Sequence, residues 1–339
     1  MEHVLEELQA QTFTDFEAIL VNDGDDNQLE AMEAIADKDS RIRIVSLSRN
    51  SGVAAARNAG TEVASTNWVT YPDPDDYFTP NYVENLFKAA DGTGVDMVCG
   101  GHTTLLKSSD ILLKYYINVK SDPEIVNILD GYERIWAAEC NKSAWNKLYN
   151  IDLMHRNKLQ FDSDFVNAQD VIFNMRYFSF IRSVGLVRDC GYTYYYYDEG
   201  SNRSNYNPKW IQNHLEIIDL QEQLHRKMGW SEQRIIENTN KELVYDSIPM
   251  FRNYFAINSP LSISEATKKM KKEIFSNSKI INAITQWDFG NDHLMRLIQR
   301  LVRIRNARLT AITIKMLVWG KRHLGGLYAI IKPFYRGDK

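Results

Sequence analysis

Three aspartates lie within four residues, in the run Asp73–Pro74–Asp75–Asp76. Carboxylates this close repel one another unless a cation neutralises their charge. Oxygen ligands of this kind suit Mg²⁺ or Mn²⁺, and Mg²⁺ is typically held by one or two carboxylates together with substrate phosphates. The run therefore predicts a divalent-metal site for a diphosphate. The alternative is a solvated turn in which one aspartate caps a helix.

The elements around this run must bring it to an edge where ligands bind. Along the first part of the chain, short β-rich segments alternate with helical ones, which is typical of a parallel sheet flanked by helices. We predict strands at 16–21, 42–45 and 68–71 and a helix at 52–64. Because the strand ends of an open α/β sheet converge on a crevice, Asp23 and the three aspartates should lie close together.

Three segments occur in a defined order: QTFTDFEAILVNDGDDN at 11–27, RIRIVSLSRNSGVAAARNAG at 41–60 and NWVTYPDPDDYF at 67–78. Together they resemble the N-terminal half of family 2 glycosyltransferases, which have the GT-A fold. The resemblance extends more weakly to residue 205 through SAWNKLYN, AQDVIFNMRYF and YTYYYYDEGSNRS. It implies an α/β fold with a GT-A-like, mostly parallel sheet flanked by helices, followed by a mainly helical C-terminal region. Because the family begins with a strand and loop that this sequence lacks, we expect the usual first strand to be absent.

The resemblance implies roles for five residues on the donor side. Asp23 matches the acidic residue that hydrogen-bonds the nucleotide base or ribose, and its alternative is a simple Asp-Gly turn. Arg57 matches an arginine that lies near the donor nucleotide and balances its charge. Asp73 would face the donor ribose. Asp75 and Asp76 would hold the metal ion, and which of them is the direct ligand stays open.

Three more residues receive roles from the weaker part of the resemblance. Asp170 matches the catalytic base at a helix start, where it would take a proton from the acceptor hydroxyl. Its alternative is a helix N-cap, and Gln169 replaces the glutamate that usually precedes this base. Trp145 would wall the acceptor pocket, unless it is a core residue. Arg203 would contact the donor phosphates, although the acids just before it stand where the family is usually basic.

These roles imply a metal-dependent, inverting glycosyltransferase. We expect it to move a sugar from a nucleotide diphosphate sugar, in the first instance a UDP-sugar, to a hydroxyl of a glycan or lipid-linked acceptor in surface polysaccharide synthesis. The alternative is a catalytically inactive homologue that acts as a membrane-associated partner of an active transferase, since the missing strand supplies part of the base pocket. Nucleotidyl transfer is disfavoured because the sequence has no glycine-rich phosphate loop.

The last part of the chain is strongly basic. Between Leu294 and Lys339, eleven Lys or Arg residues stand against one acid, Asp338. One side of a predicted helix carries arginines, and these are Arg296, Arg300 and Arg303. The other side is apolar and consists of Leu294, Leu297, Ile298 and Leu301. This pattern predicts attachment to an anionic membrane surface, and the alternatives are packing on the catalytic domain or binding a partner protein.

Composition sets the remaining expectations. The chain has 339 residues and a net charge of -4, so we expect a sizeable core and no binding of nucleic acid. The three cysteines are far apart and none of the seven histidines has metal-ligand spacing, which argues against zinc sites and disulfide frameworks. With no evident signal peptide or membrane span, we expect a cytoplasmic protein, peripheral on the inner face of the cell membrane. An oligomer or a partner transferase stays open.

The sequence divides into three parts. Residues 1–205 form the GT-A-like nucleotide-sugar transferase domain, without its usual first strand. Residues 206–290 form a helical region with a loop near Asn258-Ser259-Pro260. Residues 291–339 form the basic amphipathic tail.

Overall fold

The strands and the helix predicted from the N-terminal pattern are present. The chain is described by a computed structural model over residues 2–106, 109–165, 168–196, 205–256 and 258–323. The predicted elements lie at Ala18–Asn22, Ile42–Ser46, Val53–Val63 and Trp68–Val69. The last of these strands is shorter than expected, and the next residue, Thr70, contacts the Trp145 carbonyl through its hydroxyl at 3.3 Å.

The chain divides into two units, and the first comprises Met1–Gly200 with Lys227–Gly229. Its strands are β1 (Ala18–Asn22), β2 (Ile42–Ser46), β3 (Trp68–Val69), β4 (Tyr77–Phe78), β5 (Met97–Gly100), β6 (His102–Leu106), β7 (Ile111–Tyr115), β8 (Glu124–Asn127), β9 (Lys147–Asn150), β10 (Ser183–Val187) and β11 (Tyr192–Tyr196). Its helices are α1 (Glu2–Gln9), α2 (Asp26–Ala36), α3 (Val53–Val63), α4 (Tyr82–Phe87), α5 (Ile128–Ala137), α6 (Ile151–Arg156) and α7 (Gln169–Phe178).

Within the described residues the strands form three sheets, with orders β1-β2, β3-β9-β5-β10-β8 and β4-β11-β6-β7. The pairs β1/β2, β5/β10 and β6/β11 are parallel. The pairs β3/β9, β5/β9, β8/β10, β4/β11 and β6/β7 are antiparallel. The α/β class is confirmed, but the sheets are mixed rather than mostly parallel, because β9 and β8 run antiparallel beside the parallel pair β5/β10.

Side-chain caps start several helices of this unit. Asp25 accepts the Asn27 N–H at the start of α2, and Asn150 accepts the Leu153 N–H at the start of α6. Such caps satisfy backbone N–H groups that have no partner inside the helix. Helix α3 has no side-chain cap, since Gly52 stands at its N-cap with a φ of +85°. The backbone N–H groups of Ser51 and Gly52, just before α3, instead donate to the Asp23 carboxylate.

The second unit comprises Ser201–Arg226 with Trp230–Lys339, and its described part is helical, as predicted. Its helices are α8 (Trp210–Lys227), α9 (Glu232–Tyr245), α10 (Ser247–Asn253), α11 (Ile263–Met270), a π-helical turn at Lys271–Phe275, α12 (Ser278–Gln286), α13 (His293–Arg303) and α14 (Ala307–His323). The predicted loop at 258–260 lies between α10 and α11. Ser262 and Glu265 form a capping box at the start of α11.

The apolar side of α13 lies inside the second unit. Ile298 and Val302 are fully buried, and Leu301 is buried beside them. The expectation that Ile298 and Leu301 face a membrane is therefore wrong, because both side chains are buried and Ile298 lies in the apolar core of the second unit. Leu297, from the same predicted side, is exposed. Within the described ranges, no helix has the length and apolar character needed to cross a bilayer.

Candidate active site

The acidic run forms a tight turn between β3 and β4. The Asp76 N–H donates to the Asp73 carbonyl at 3.2 Å, which closes the turn. Asp76 is only 2% exposed, and its carboxylate accepts the Tyr192 hydroxyl and the Tyr195 N–H, each at 2.8 Å. Burial raises the pKa of Asp76 to about 7, although both hydrogen bonds favour its charged form. Asp75, in contrast, is exposed.

Arg57 on α3 connects this turn to the start of α7. Its guanidinium donates to the Asp73 carboxylate at 2.9 Å and forms a second ion pair with Asp170. The ring of Phe161 lies 5.2 Å from the guanidinium carbon. Burial opposes the charge of Arg57, but the two carboxylates outweigh it and raise the pKa of Arg57 above its usual value. Residues predicted from three separate motifs therefore meet in one charged cluster.

Asp170 lies in the first turn of α7, one residue inside the helix. Ala168 occupies the N-cap position, so the alternative that Asp170 caps this helix is wrong. One carboxylate oxygen pairs with Arg57, and the other accepts the Ala144 N–H at 3.2 Å. The side chain is still 23% exposed. A carboxylate that is oriented by two donors and yet open to solvent is suited to accept a proton from a bound hydroxyl.

Asp23 follows β1 and holds the loop that leads into α3. Its two carboxylate oxygens accept the N–H groups of Ser51 at 2.7 Å and Gly52 at 2.8 Å. Gly24 beside it has a φ of +73°, and a Cβ there would lie 2.4 Å from a backbone carbon of Arg49. Gly24 therefore forms a bend directly after Asp23, and the Asp23 carboxylate holds a loop distant in sequence rather than a local turn. Asp23 is partly exposed and each oxygen keeps a second lone pair, so its contact with a nucleotide stays a prediction.

Trp145 packs against Tyr192, whose hydroxyl is hydrogen-bonded to the acidic turn. It is buried, and its ring stacks on Tyr192 with 4.2 Å between centroids and an interplanar angle of 8°. The Tyr192 hydroxyl donates to Asp76 and accepts the Asp73 N–H at 3.0 Å. Trp145 is thus a core residue that supports the turn, and its contact with a sugar stays a prediction. Sequence reasoning did not single out Tyr192. Its strand contains several tyrosines, and the sequence does not show which hydroxyl group contacts the turn.

A buried lysine holds the loop that contacts the predicted base. Lys147 is fully buried, and its ammonium donates to the carbonyls of Cys140 and Ser143 and to the side-chain oxygen of Asn146, at 2.5–2.6 Å. These three acceptors match the three protons of an ammonium group. Burial lowers the pKa of Lys147, and neighbouring acidic groups oppose that shift. The loop presents the Ala144 N–H, so Lys147 helps to fix the donor that orients the base.

The same loop is tied to α7 by a second buried polar side chain. The Asn174 amide donates to the carbonyls of Asn141 at 3.1 Å and Ser143 at 2.9 Å. Its oxygen accepts the Tyr149 hydroxyl at 2.6 Å. Sequence reasoning gave neither this asparagine nor Lys147 a role, since a sequence does not reveal which polar side chains become buried.

The geometry limits which residues could hold a metal ion. Over the described ranges, no group of three or more His, Cys, Asp or Glu side chains is arranged to bind one. Mg²⁺ often takes only one or two protein carboxylates and completes its shell with phosphates and water. Of the two predicted ligands, Asp75 meets that smaller requirement because its side chain is exposed on the turn, whereas Asp76 is buried. Arg203, the predicted phosphate contact, lies outside the described residues.

Comparison with known proteins adds an independent observation. Residues 1–115 match the family model described as Glycosyl transferase family 2. The chain therefore carries a glycosyltransferase family 2 domain in its N-terminal part. The matched segment of this glycosyltransferase contains Asp23, Arg57 and the acidic turn, and it ends before Asp170. The family match therefore covers the predicted donor-side residues, whose individual roles stay predictions, and Asp170 lies outside it.

Similar glycosyltransferases span much of the chain. The uncharacterized glycosyltransferase EpsJ of Bacillus subtilis (strain 168) is 27% identical over 327 residues, which cover 91% of this chain and 89% of EpsJ. The putative glycosyltransferase EpsH of the same strain is 30% identical over 199 residues, which cover 56% of this chain and 55% of EpsH. The crystal structure of S. aureus TarS 1-349 in complex with UDP-GlcNAc matches with a TM-score of 0.59 and 17% identity, covering 95% of this chain and 87% of that one. The likeness to TarS confirms the GT-A-like fold.

Proposed function

We propose that this glycosyltransferase is metal-dependent and inverting, and that its donor is a UDP-sugar. Its acceptor is a hydroxyl group of a glycan or a lipid-linked saccharide in surface polysaccharide synthesis. The observation that carries the proposal is the position of Arg57 between Asp73 and Asp170. This guanidinium joins the acidic turn to a partly exposed carboxylate, so the groups for leaving-group departure and for proton removal share one site.

Asp170 is the base in the proposed reaction. Its carboxylate takes the proton of the acceptor hydroxyl while the oxygen attacks the anomeric carbon and the bond to the nucleoside diphosphate breaks. Attack from the face opposite the leaving group inverts the configuration. Arg57 and the Ala144 N–H hold the carboxylate in one orientation, which limits the rearrangement needed during the reaction.

The two aspartates predicted to bind metal have different surroundings. Both oxygens of Asp76 accept hydrogen bonds from β11, whereas Asp75 is exposed on the turn. We therefore assign direct contact with Mg²⁺ or Mn²⁺ to Asp75, and the orientation of the turn to Asp76. A divalent ion bound there would neutralise the two phosphates of the departing nucleoside diphosphate. Asp73, fixed by Arg57, is placed for the donor ribose.

The choice of a uridine nucleotide has two supports. The matched family segment includes Asp23, whose carboxylate is partly exposed at the end of β1. Crystal structures of S. aureus TarS 1-349, which has the same fold, contain UDP and UDP-GlcNAc. We propose that Asp23 contacts the base or ribose of the donor with the lone pairs that Ser51 and Gly52 leave free.

A donor panel tests this function. The full chain is incubated with Mn²⁺ and a series of UDP-, GDP- and dTDP-sugars, and release of the nucleoside diphosphate is measured with and without saccharide acceptors. We expect release from a UDP-sugar, and a decrease of about 100-fold or more in Asp75→Asn. Asp91→Asn, which changes an exposed aspartate outside the site, serves as the control. Equal rates in both variants would reject the metal assignment, and no release from any donor would favour the inactive-partner alternative.

We further propose that the enzyme works at the inner face of the cell membrane, where a lipid-linked acceptor would be available. The support is the charge of the C-terminal helices. No Asp or Glu occurs between residues 293 and 337, and this stretch contains ten Lys or Arg residues. Such a segment is attracted to anionic lipid headgroups.

A further inference from the structure

The exposed side of α13 combines charge with apolar surface. Arg296, Arg300 and Arg303 are exposed and form one row along the helix. Leu297 is 44% exposed, and Ile304, the C-cap residue that directly follows α13, is 65% exposed. They lie seven residues apart, which corresponds to two helical turns. At about 100° per residue, this aliphatic pair borders the arginine row. The exposed side of α13 is therefore itself amphipathic.

Helix α14 repeats this arrangement. Arg308 and Lys315 are exposed and lie two turns apart on one side. Leu309 and Met316 are also two turns apart, and Met316 is 67% exposed. Trp319, one turn beyond Met316, is 55% exposed. Two consecutive helices that pack against each other therefore each present a basic row beside large apolar side chains.

The opposite sides of both helices are already occupied. Ile298 and Val302 of α13 and Ala311 and Ile314 of α14 lie in the core of the second unit. Using them for membrane contact would require the unit to open. The exposed rows need no such change, since their apolar side chains already face solvent.

We propose that the exposed rows of α13 and α14, rather than the buried sides, dock the enzyme on an anionic bilayer. This inference rests on the membrane attachment proposed above. Arginine binds phosphate headgroups through paired hydrogen bonds, and tryptophan favours the boundary between headgroups and acyl chains. An acidic protein would pair with the arginines, but the bilayer interface accommodates Met316 and Trp319 as well.

Vesicle sedimentation with the full chain tests the proposal. The vesicles contain phosphatidylcholine alone or with about 30% phosphatidylglycerol, at low and high salt. We expect wild type to bind the anionic vesicles, and Arg296→Gln/Arg300→Gln/Arg308→Gln to bind them about 100-fold more weakly, as three charges near such a surface imply. Leu297→Ser/Ile304→Ser should also weaken binding. The matched control is Ile236→Ser/Lys241→Gln, which changes an exposed isoleucine and an exposed lysine on α9.

A fluorescence measurement locates the contact. Brominated phospholipid in the anionic vesicles should quench part of the tryptophan emission, and Trp319→Phe should remove that part. Unchanged melting temperatures and unchanged transfer to a short soluble acceptor would show that the surface variants are folded.

The outcomes separate the two proposals. If wild type binds no vesicle, the proposed membrane attachment is rejected and this inference is rejected with it. Salt-sensitive binding to polyglutamate would then favour an acidic protein partner. If wild type binds while both surface variants match the control, attachment stands and the assignment to these rows is overturned.

Discussion

The two units place their charged side chains in opposite ways. In the first unit, Arg57, Asp76 and Lys147 are buried or largely buried, and each is held by several polar or charged partners. In the second unit, apolar side chains fill the core, while charges such as Arg296 and Arg300 face solvent. A buried charge needs its partners in place, whereas a solvated one does not. Changes to these buried charged residues should therefore alter chemistry in the first unit, whereas changes to the exposed arginines should alter only surface binding in the second.

The largest effect should follow from replacing the predicted base. Asp170→Asn keeps an oxygen that can accept from Arg57 but cannot take a proton, so the transfer rate should fall about 10³-fold. Single-turnover kinetics would measure this loss, with little change in donor affinity. Gln169→Ala, at the neighbouring position, should retain most of the activity. Full activity in Asp170→Asn would remove this carboxylate from the chemistry.

The next largest effect tests the buried lysine. Lys147→Met removes one donor from each of three buried oxygens, although the Ser143 carbonyl keeps the Asn174 amide and the Asn146 oxygen keeps the Ser143 hydroxyl. The free energy of unfolding should therefore fall by about 3 kcal/mol. In the folded fraction, kcat should fall while KM for the donor stays nearly constant, because the Ala144 N–H no longer holds Asp170 in place. Urea unfolding and steady-state kinetics would measure both effects. Lys142→Met is the control, since Lys142 is an exposed lysine on the same loop.

Two adjacent residues of α13 test the second unit. Ile298→Ala should lower the free energy of unfolding by about 3 kcal/mol, because Ile298 is fully buried in the helical core. Leu297→Ala should change it by less than about 0.5 kcal/mol, because that side chain is exposed. Thermal unfolding would compare the two variants. A larger loss of unfolding free energy in Leu297→Ala than in Ile298→Ala would mean that α13 packs a different side against the core.

The smallest effect concerns a partly buried acid away from the site. Burial raises the pKa of Glu7 on α1 from 4.5 to about 7, although a bond from the Phe78 backbone lowers it. Glu7 therefore contributes stability below pH 4.5 that is lost as the pH rises through 7. Glu7→Gln should raise the free energy of unfolding by about 1 kcal/mol near pH ~8 and leave it almost unchanged near pH ~4. Melting temperatures at both pH values would check this, and a pH-independent difference would contradict it.

Sequence reasoning succeeded where the resemblance to family 2 glycosyltransferases pointed to individual residues. Asp73, Arg57 and Asp170 were singled out from separate motifs, and the structure brings both carboxylates into contact with Arg57. It did not identify Lys147 or Tyr192, because their importance comes from burial and from partners distant in sequence. The prediction of a mostly parallel sheet was also wrong. Alternation of strands and helices along the sequence does not determine the direction of a strand such as β9, which runs antiparallel to β3 and β5.

The basic helices show a related limit of periodicity. The pattern placed Leu297 on the same side of α13 as Ile298 and Leu301, and it could not show which of these side chains would be covered. Ile298 is covered by the helices of its own unit, whereas Leu297, the residue beside it, stays exposed. Apolar residues at helical spacing therefore predict that one side of a helix is buried, without telling whether protein or lipid buries it.

The proposed chemistry requires the acidic turn to bind a nucleoside diphosphate through a divalent ion at Asp75. Isothermal titration calorimetry of the full chain with UDP, with and without Mn²⁺, measures that binding. We predict saturable heat for wild type and Asp91→Ala in Mn²⁺, and a loss of that heat in Asp75→Ala or when Mn²⁺ is removed. Binding of equal strength in Asp75→Ala, or binding that does not depend on Mn²⁺, would show that the ion is not held there.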